Sequence, residues 1–172
     1  MEMEKKKSKR TQGYTLIELI AVLAIMAILG TMLVSMLNMG VKFYRNANTT
    51  MENQSDARLA IAYITVKIRQ NDVAGGIAVI SERDSFNNPI EVLRINDAST
   101  PGNTFWIYYD ANTDKLREQS GNTGFNPVLA NGIEISELSY LKIEQFGANL
   151  RFRVKSMDNT VDLTQEITLR SP

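Results

Sequence analysis

The most constraining feature of the sequence is a long, almost uncharged run near its amino terminus. From Tyr14 to Leu37 the only formally charged residue is Glu18. As a helix, this run would rise about 36 Å, enough to cross a hydrocarbon core of about 30 Å. Helices in soluble cores rarely run this far without charge, so the pattern predicts a single membrane-spanning helix.

The charges on either side of the run predict its orientation. Residues 1–13 carry five Lys or Arg and two Glu, whereas only Lys42 and Arg45 follow the run closely. The positive-inside rule therefore keeps the basic head in the cytoplasm and directs the carboxy-terminal body outward. The whole chain has a net charge of zero, so the remainder is mildly acidic and its charge gives no support to nucleic-acid binding.

The composition also restricts the chemistry that the chain can perform. It contains no His and no Cys, which excludes most zinc sites, Cys or Ser-His nucleophile systems, and haem or iron–sulfur ligation. Disulfides are excluded as well, so an extracellular body must be stable without them. No constellation of carboxylates or lysines indicates catalysis. We therefore expect no enzymatic activity and no cofactor.

The junction between the basic head and the apolar run carries a specific motif, GYTLIE at residues 13–18. An ordinary secretory signal would have a shorter apolar region, with a small-residue cleavage site after it. The motif closely resembles the amino termini of type IV prepilins and pseudopilins, in which a short basic leader ends in Gly and an aromatic residue, usually Phe, follows. The resemblance implies that a prepilin peptidase cleaves between Gly13 and Tyr14 and methylates the new amine of Tyr14. It also implies partners, namely other pilin subunits and an assembly platform protein in the membrane.

The charge of Glu18 is unfavourable in an apolar helix. A carboxylate at membrane depth costs about 2.5–3.5 kcal/mol on insertion scales. One interpretation is that Glu18 lies near the cytoplasmic interface and contacts water. The resemblance implies another, because in pilins this Glu is thought to pair with the amino-terminal amine of a neighbouring subunit. Pairing would favour registered assembly over solitary insertion.

Small and polar residues interrupt the apolar run: Ala21, Ala24, Ala27, Gly30, Thr31 and Ser35. Such residues let membrane helices approach closely, which predicts helix packing here. Pilins often have a helix-breaking Pro in this region and this chain has none, so a hinge at Gly30 stays an open alternative.

Past the membrane the pattern predicts that the helix continues. Residues 41–56 are polar with few helix breakers, and apolar residues then recur at three- and four-residue spacings: Ala57, Ala60, Ile61, Ile64 and Ile68. One apolar stripe with charged residues opposite is typical of a helix packed on a sheet. Asn71, Asp72 and the pair at 75–76 predict its end near residue 72.

After Gly76 the period changes from helical to alternating. The pattern predicts strands at 77–81, 90–96, 104–109, 115–119, 133–145, 149–157 and 160–169, with tight turns at 111–114, 146–148 and 158–159. The loop 120–127 is the most flexible candidate. The predicted fold class is therefore α+β, the type IV pilin-like fold. Its predicted parts are a leader (1–13), a transmembrane and filament-core helix (14–40), an amphipathic extension (41–74) and an antiparallel β head (75–172).

The head also has a second, looser resemblance. The segment VLANGIEISELSY at 128–140 and the succession of hairpins are similar to minor pilins and minor pseudopilins. This favours a minor pilin that initiates or caps a type IV pilus, first in the cytoplasmic membrane with its head outside and then in an extracellular fibre. A minor pseudopilin of a type II secretion system remains an alternative, as does a filament-tip adhesin or DNA-uptake pilin.

Three patterns in the head are candidate binding sites. Asp110, Asn112 and Asp114 have the opening spacing of a calcium loop, but Lys115 and Gly121 stand where that loop needs Gly and Glu, and a plain hairpin turn explains the same residues.

The other two patterns are an aromatic cluster and a basic stripe. Residues 105–109 predict a strand with Phe105 and Ile107 on one face and Trp106 and Tyr108 on the other, the latter either partly covered or an exposed contact surface. Residues 151, 153 and 155 place three cations on one strand face, either a solvated surface or a DNA-binding stripe.

Overall fold

The computed structural model describes residues 15–126 and 132–170. It has one long helix and eight strands: α1 (Leu16–Gln70), β1 (Ile77–Arg83), β2 (Pro89–Asn96), β3 (Thr104–Asp110), β4 (Lys115–Gly121), β5 (Ile133–Glu137), β6 (Tyr140–Phe146), β7 (Asn149–Lys155) and β8 (Asp162–Thr168). The chain divides into two compact units, Met1–Asn46 and Ala47–Pro172, and α1 contributes to both.

The predicted helix is confirmed, and α1 ends two residues before the expected position. It is helical through Gly30 without a break. At its end the side chain of Asn71 donates from Nδ2 to the carbonyl of Lys67 at 2.8 Å, and its backbone N–H donates to Ile68 at 3.1 Å. These bonds occupy carbonyls of the last turn that the helix itself cannot satisfy, so the helix stops there.

The strands form two antiparallel sheets, one of five strands in the order β1-β2-β3-β4-β5 and one of three in the order β6-β7-β8. The predicted turns at 111–114, 146–148 and 158–159 are confirmed. Asp114, Gly147 and Asn159 have φ of 55°, 60° and 56°. This left-handed region suits Gly, Asn and Asp best, which explains why these turns could be located in the sequence.

The prediction of a single strand over 133–145 is wrong. The chain leaves the five-stranded sheet after β5 and enters the three-stranded sheet at β6. Between them, Leu138 is completely buried and its N–H donates to Asp114 at 2.9 Å, while the N–H of Ser139 donates to Lys155 at 3.1 Å. Each of these two residues is thus bound to a different sheet, and alternation alone does not show such a change of sheet.

The main core lies between the second half of α1 and the two sheets. Ala57, Ala60, Ile64 and Ile68 are completely buried and Ile61 packs beside them, which confirms the predicted stripe. The sheets supply the other large core residues, which include Leu93, Ile95, Ile107, Leu116, Ile143, Leu150, Phe152 and Ile167.

Side chains also join the two sheets directly. Glu91 Oε2 accepts a hydrogen bond from the N–H of Ile143 at 3.1 Å, and Gln145 Oε1 accepts one from the N–H of Val79 at 3.0 Å. Together with the core, these bonds make the head one packed body.

Candidate assembly site

The amino-terminal end of α1 is held by a reciprocal pair of hydrogen bonds. The N–H of Glu18 donates to Thr15 Oγ1, and the N–H of Thr15 donates to Glu18 Oε2, both at 3.4 Å. This is a capping box, in which an amino-terminal Thr and a Glu three residues later satisfy each other's free N–H groups. This role of Thr15 was not predicted, although the pattern Thr-x-x-Glu signals it.

The capping box places the Glu18 carboxylate at the first turn of α1, where the positive end of the helix dipole also favours a negative charge. The predicted cleavage residues Gly13 and Tyr14 lie outside the described residues. The roles assigned to Gly13, Tyr14 and Glu18 stay predictions.

The part of α1 in the first unit is an apolar helix that no other described element covers. Every residue from 16 to 46 in α1 is exposed, and an 18-residue window of this helix reaches a mean hydropathy of 2.6. By length and composition it is the one candidate membrane span among the described residues. So large an exposed apolar surface calls for lipid or other helices around it.

The head is fastened to α1 by a buried polar cluster. Lys67 Nζ lies 3.0 Å from Glu118 Oε1, and the hydroxyl of Tyr63 donates to Glu118 Oε2 at 2.7 Å. Lys67 Nζ also lies 3.6 Å from the ring centroid of Phe105, a cation–π contact. Glu118 belongs to β4, whereas Lys67 and Tyr63 belong to α1, so this cluster joins the helix to the sheet.

Burial raises the pKa of Tyr63 well above its usual value, and the hydrogen bond to Glu118 and the charge of that carboxylate raise it further. Strand β4 was predicted from the sequence, but this cluster was not. Its signal was a Glu at a position of β4 that alternation directs toward the core.

The calcium-loop pattern forms a hairpin turn. Asp110 Oδ1 accepts from the N–H of Asn112 at 3.1 Å and Asp110 Oδ2 from the hydroxyl of Thr113 at 2.8 Å, whereas Asp114 Oδ1 accepts from the hydroxyl of Tyr109 at 2.7 Å. The two carboxylates therefore serve different donors. Within residues 15–126 and 132–170, no cluster of three acidic side chains is arranged to hold a metal ion.

The aromatic residues of β3 divide between two cores as alternation predicts. Phe105 and Ile107 belong to the main core, while Trp106 and Tyr108 form a second cluster with Val92 on the opposite face. The interpretation of an exposed contact surface is wrong, because both aromatic side chains are 5% exposed.

The loop after β4 covers this second cluster. Phe125 packs edge-on against Tyr108, with ring centroids 5.0 Å apart, and the N–H of Asn126 donates to Gln119 Oε1 at 3.2 Å. The described part of the predicted flexible loop is thus folded onto the sheet. The segment 127–131 lies outside the described residues, and the beginning of the minor-pilin resemblance at 128–140 falls there.

The cations of β7 are paired across the sheet. Arg151 and Arg153 bond through their guanidinium groups to Glu166 and Asp162 of β8, the shortest Arg153 contact being 2.7 Å. Lys155 Nζ lies 4.0 Å from Asp162. Alternating charges of both signs are typical of a solvated sheet face, and they do not form the single-sign stripe that DNA binding needs.

Comparison with protein-family models gives two matches. Residues 8–34 match the prokaryotic N-terminal methylation motif, and residues 55–157 match a domain of unknown function (DUF4860). No curated protein and no solved structure matches the chain. The methylation motif covers the junction at 13–18 and most of the apolar run, and the domain covers α1 from residue 55 to its end and the strands through β7. The chain therefore belongs to the DUF4860 domain family, and it carries a prepilin-type N-terminal methylation motif that is consistent with a type IV pilin-like protein.

Proposed function

We propose that the protein is a structural, non-enzymatic minor pilin that initiates or caps a type IV pilus. The observation that carries the proposal is the methylation motif joined directly to a helix whose residues 16–46 are all exposed. Lipid covers this surface before assembly, and helices of other subunits cover it in the filament. The partners in this proposal are the prepilin peptidase, the platform protein and other pilins.

Cleavage after Gly13 leaves a free amine on Tyr14 about one helical turn from Glu18. The capping box between Thr15 and Glu18 holds the carboxylate at the end of the helix where a neighbouring subunit's amine arrives. An ion pair formed there compensates two charges that are costly to leave alone in an apolar surrounding. The head then remains outside the membrane, fastened to α1 through Lys67 and Glu118.

The test is mass spectrometry of the intact protein and of its amino terminus, from membranes and from sheared surface material of the native host. We expect a chain that begins at methylated Tyr14, is present in the sheared fraction, and is far less abundant there than the main subunit. Equal abundance would make it the major subunit. A Tyr14 chain found only in membranes, with protein export lost on deletion, would favour a secretion pseudopilin. A chain that begins at Met1 in every fraction would overturn the proposal.

A further inference from the structure

One arginine of the five-stranded sheet has no partner in the head. Arg94 of β2 is partly buried, and its Nε is fully buried without a hydrogen-bond partner. Its guanidinium forms no hydrogen bond, ion pair or ring contact with the described residues. A charge that is removed from water is unfavourable unless another group compensates it. The function derived above makes no use of Arg94.

The other cations of the strands all have an oxygen partner. Arg83 donates to the carbonyl of Asn87 at 2.8 Å. Six further cations lie within ion-pair distance of a carboxylate: Lys115, Arg117, Lys142, Arg151, Arg153 and Lys155. Among the cations of the eight described strands, Arg94 is therefore the exception.

The neighbours of Arg94 across the sheet explain why it has no partner. Its register partners are Ala78 of β1 and Trp106 of β3, and residues directly opposite each other place their side chains on the same face. Ala78 has no polar side-chain atom, and the indole of Trp106 can only donate a hydrogen bond. The two adjacent strands therefore supply no side-chain acceptor opposite Arg94.

The surface on this face of the sheet is otherwise apolar. Val92 and Trp106 are buried there, and Ile80 and Ile90 pack against their cluster while they remain partly exposed. An ionic hydrogen bond is stronger beside apolar groups than in water, because the local dielectric constant is lower. Arginine is also enriched in protein interfaces and among the residues that contribute most to binding. This face therefore combines an unpaired guanidinium with aliphatic surface that a partner can cover.

We propose that Arg94 binds a side-chain carboxylate of another pilin subunit, whose apolar side chains cover Ile80 and Ile90. The proposal rests on the proposed function, because a neighbouring subunit of the filament presents the carboxylate. A planar guanidinium matches a carboxylate through two parallel hydrogen bonds. Binding to nucleic acid or to an anionic lipid surface requires several cations. A single cation beside aliphatic side chains fits one carboxylate on a protein surface better.

The variant Arg94→Lys tests the proposal, because a carbodiimide couples a carboxylate to an ammonium in contact with it but not to a guanidinium. The full-length variant replaces the wild type in the native host. Membranes and sheared fibres are treated, and the products are mapped by mass spectrometry. We expect a bond from position 94 to an Asp or Glu of another chain, and no product at this position in the wild type. Coupling of Lys115 to Glu134, whose charged groups lie 2.6 Å apart, is the internal control of the reagent.

The matched control is Arg83→Lys. Arg83 is exposed, lies on the adjacent strand and bonds within its own chain, so we expect no interchain product at position 83. Circular dichroism in detergent checks that each variant is folded. If Arg94→Lys fails to fold, phenylglyoxal modification of the wild type replaces it. Arg94 should then react in the detergent-solubilised protein and be protected in fibres, whereas Arg83 should react in both, and equal reaction of Arg94 in both samples would overturn the inference.

The outcomes separate this inference from the proposed function. If the folded Arg94→Lys chain begins at Tyr14 and is present in fibres but gives no interchain product at position 94, the inference is wrong and the pilin function stands. A product that joins position 94 only to a carboxylate of the same chain overturns the inference as well. If inorganic phosphate raises the melting temperature of the wild type but not of Arg94→Met, the site binds phosphate and the carboxylate proposal is wrong. A chain that begins at Met1 in every fraction overturns the pilin function itself.

Discussion

Substitution of Glu118 by Ala should weaken the interaction between α1 and the head. The carboxylate is the common acceptor of the cluster, at 3.0 Å from Lys67 Nζ and 2.7 Å from the hydroxyl of Tyr63, and its side chain is 4% exposed. Without it, a largely buried ammonium and a partly buried hydroxyl both lose their partner. The free energy of unfolding should therefore fall.

The magnitude follows from what remains after the substitution. Breaking a buried ion pair by removing one partner costs about 3–5 kcal/mol. The side chain of Lys67 is 18% exposed and keeps its position 3.6 Å from the ring centroid of Phe105, a contact worth about 0.5–2 kcal/mol. We therefore expect a loss at the low end, about 3 kcal/mol. Glu118→Gln keeps the shape and an acceptor, so its loss should be smaller, about 1–2 kcal/mol.

The assay is urea unfolding of the full-length protein in detergent micelles, followed by the emission of Trp106. This side chain is 5% exposed and lies in the head, so its emission reports the unfolding of the head. The double variant Lys67→Met/Glu118→Leu replaces both charges with apolar groups and should be more stable than Glu118→Ala, because no charge is left buried alone. A Glu118→Ala protein within about 1 kcal/mol of the wild type would refute this account of the cluster.

Three further predictions concern the helix start, alkaline stability and a turn. Glu18→Ala should leave cleavage intact but reduce the fraction of the protein in sheared fibres. Glu18→Gln preserves the capping box and should nevertheless be equally defective. Normal incorporation of the Gln variant into fibres would mean that Glu18 acts only in capping. The pKa of Tyr63 is raised above its ordinary value of 10.0, so this group's contribution to stability is present below about pH 10 and is lost as the pH rises further. Tyr63→Phe should make the alkaline fall in urea midpoint shallower, and equal slopes would contradict the stated cause. Gly147→Ala forces a side chain into the φ of 60° at the β6–β7 turn and should cost about 1 kcal/mol in the same urea assay, whereas an unchanged midpoint would show that the turn adapts.

Much of the architecture could be predicted because it depends on local patterns. The structure confirms the helix of the apolar run, the stripe from Ala57 to Ile68 and the predicted strands other than 133–145. Each of these follows from a pattern within one element. The turns at 114, 147 and 159 were predictable for the same reason, since their residue types tolerate left-handed φ.

The candidate site was predictable only in part. Glu18 could be singled out because a lone charge in an apolar helix needs a reason, and Thr15 could have been found beside it from the Thr-x-x-Glu spacing. The Lys67–Glu118 pair could not. Its two members are 51 residues apart in the chain, so no local pattern connects them.

The sequence by itself therefore determined an apolar helix long enough to cross a membrane, the prepilin-type junction and the α+β class, because helix period, strand period and charge placement are properties of neighbouring residues. The tertiary structure decided which partner each side chain meets. It divided the predicted strand 133–145 between two sheets at Leu138, packed Phe125 against the cluster that contains Trp106 and Tyr108, and paired the arginines of β7 with the acids of β8. Those outcomes depend on contacts between residues that are distant along the chain, and packing of the whole head determines them.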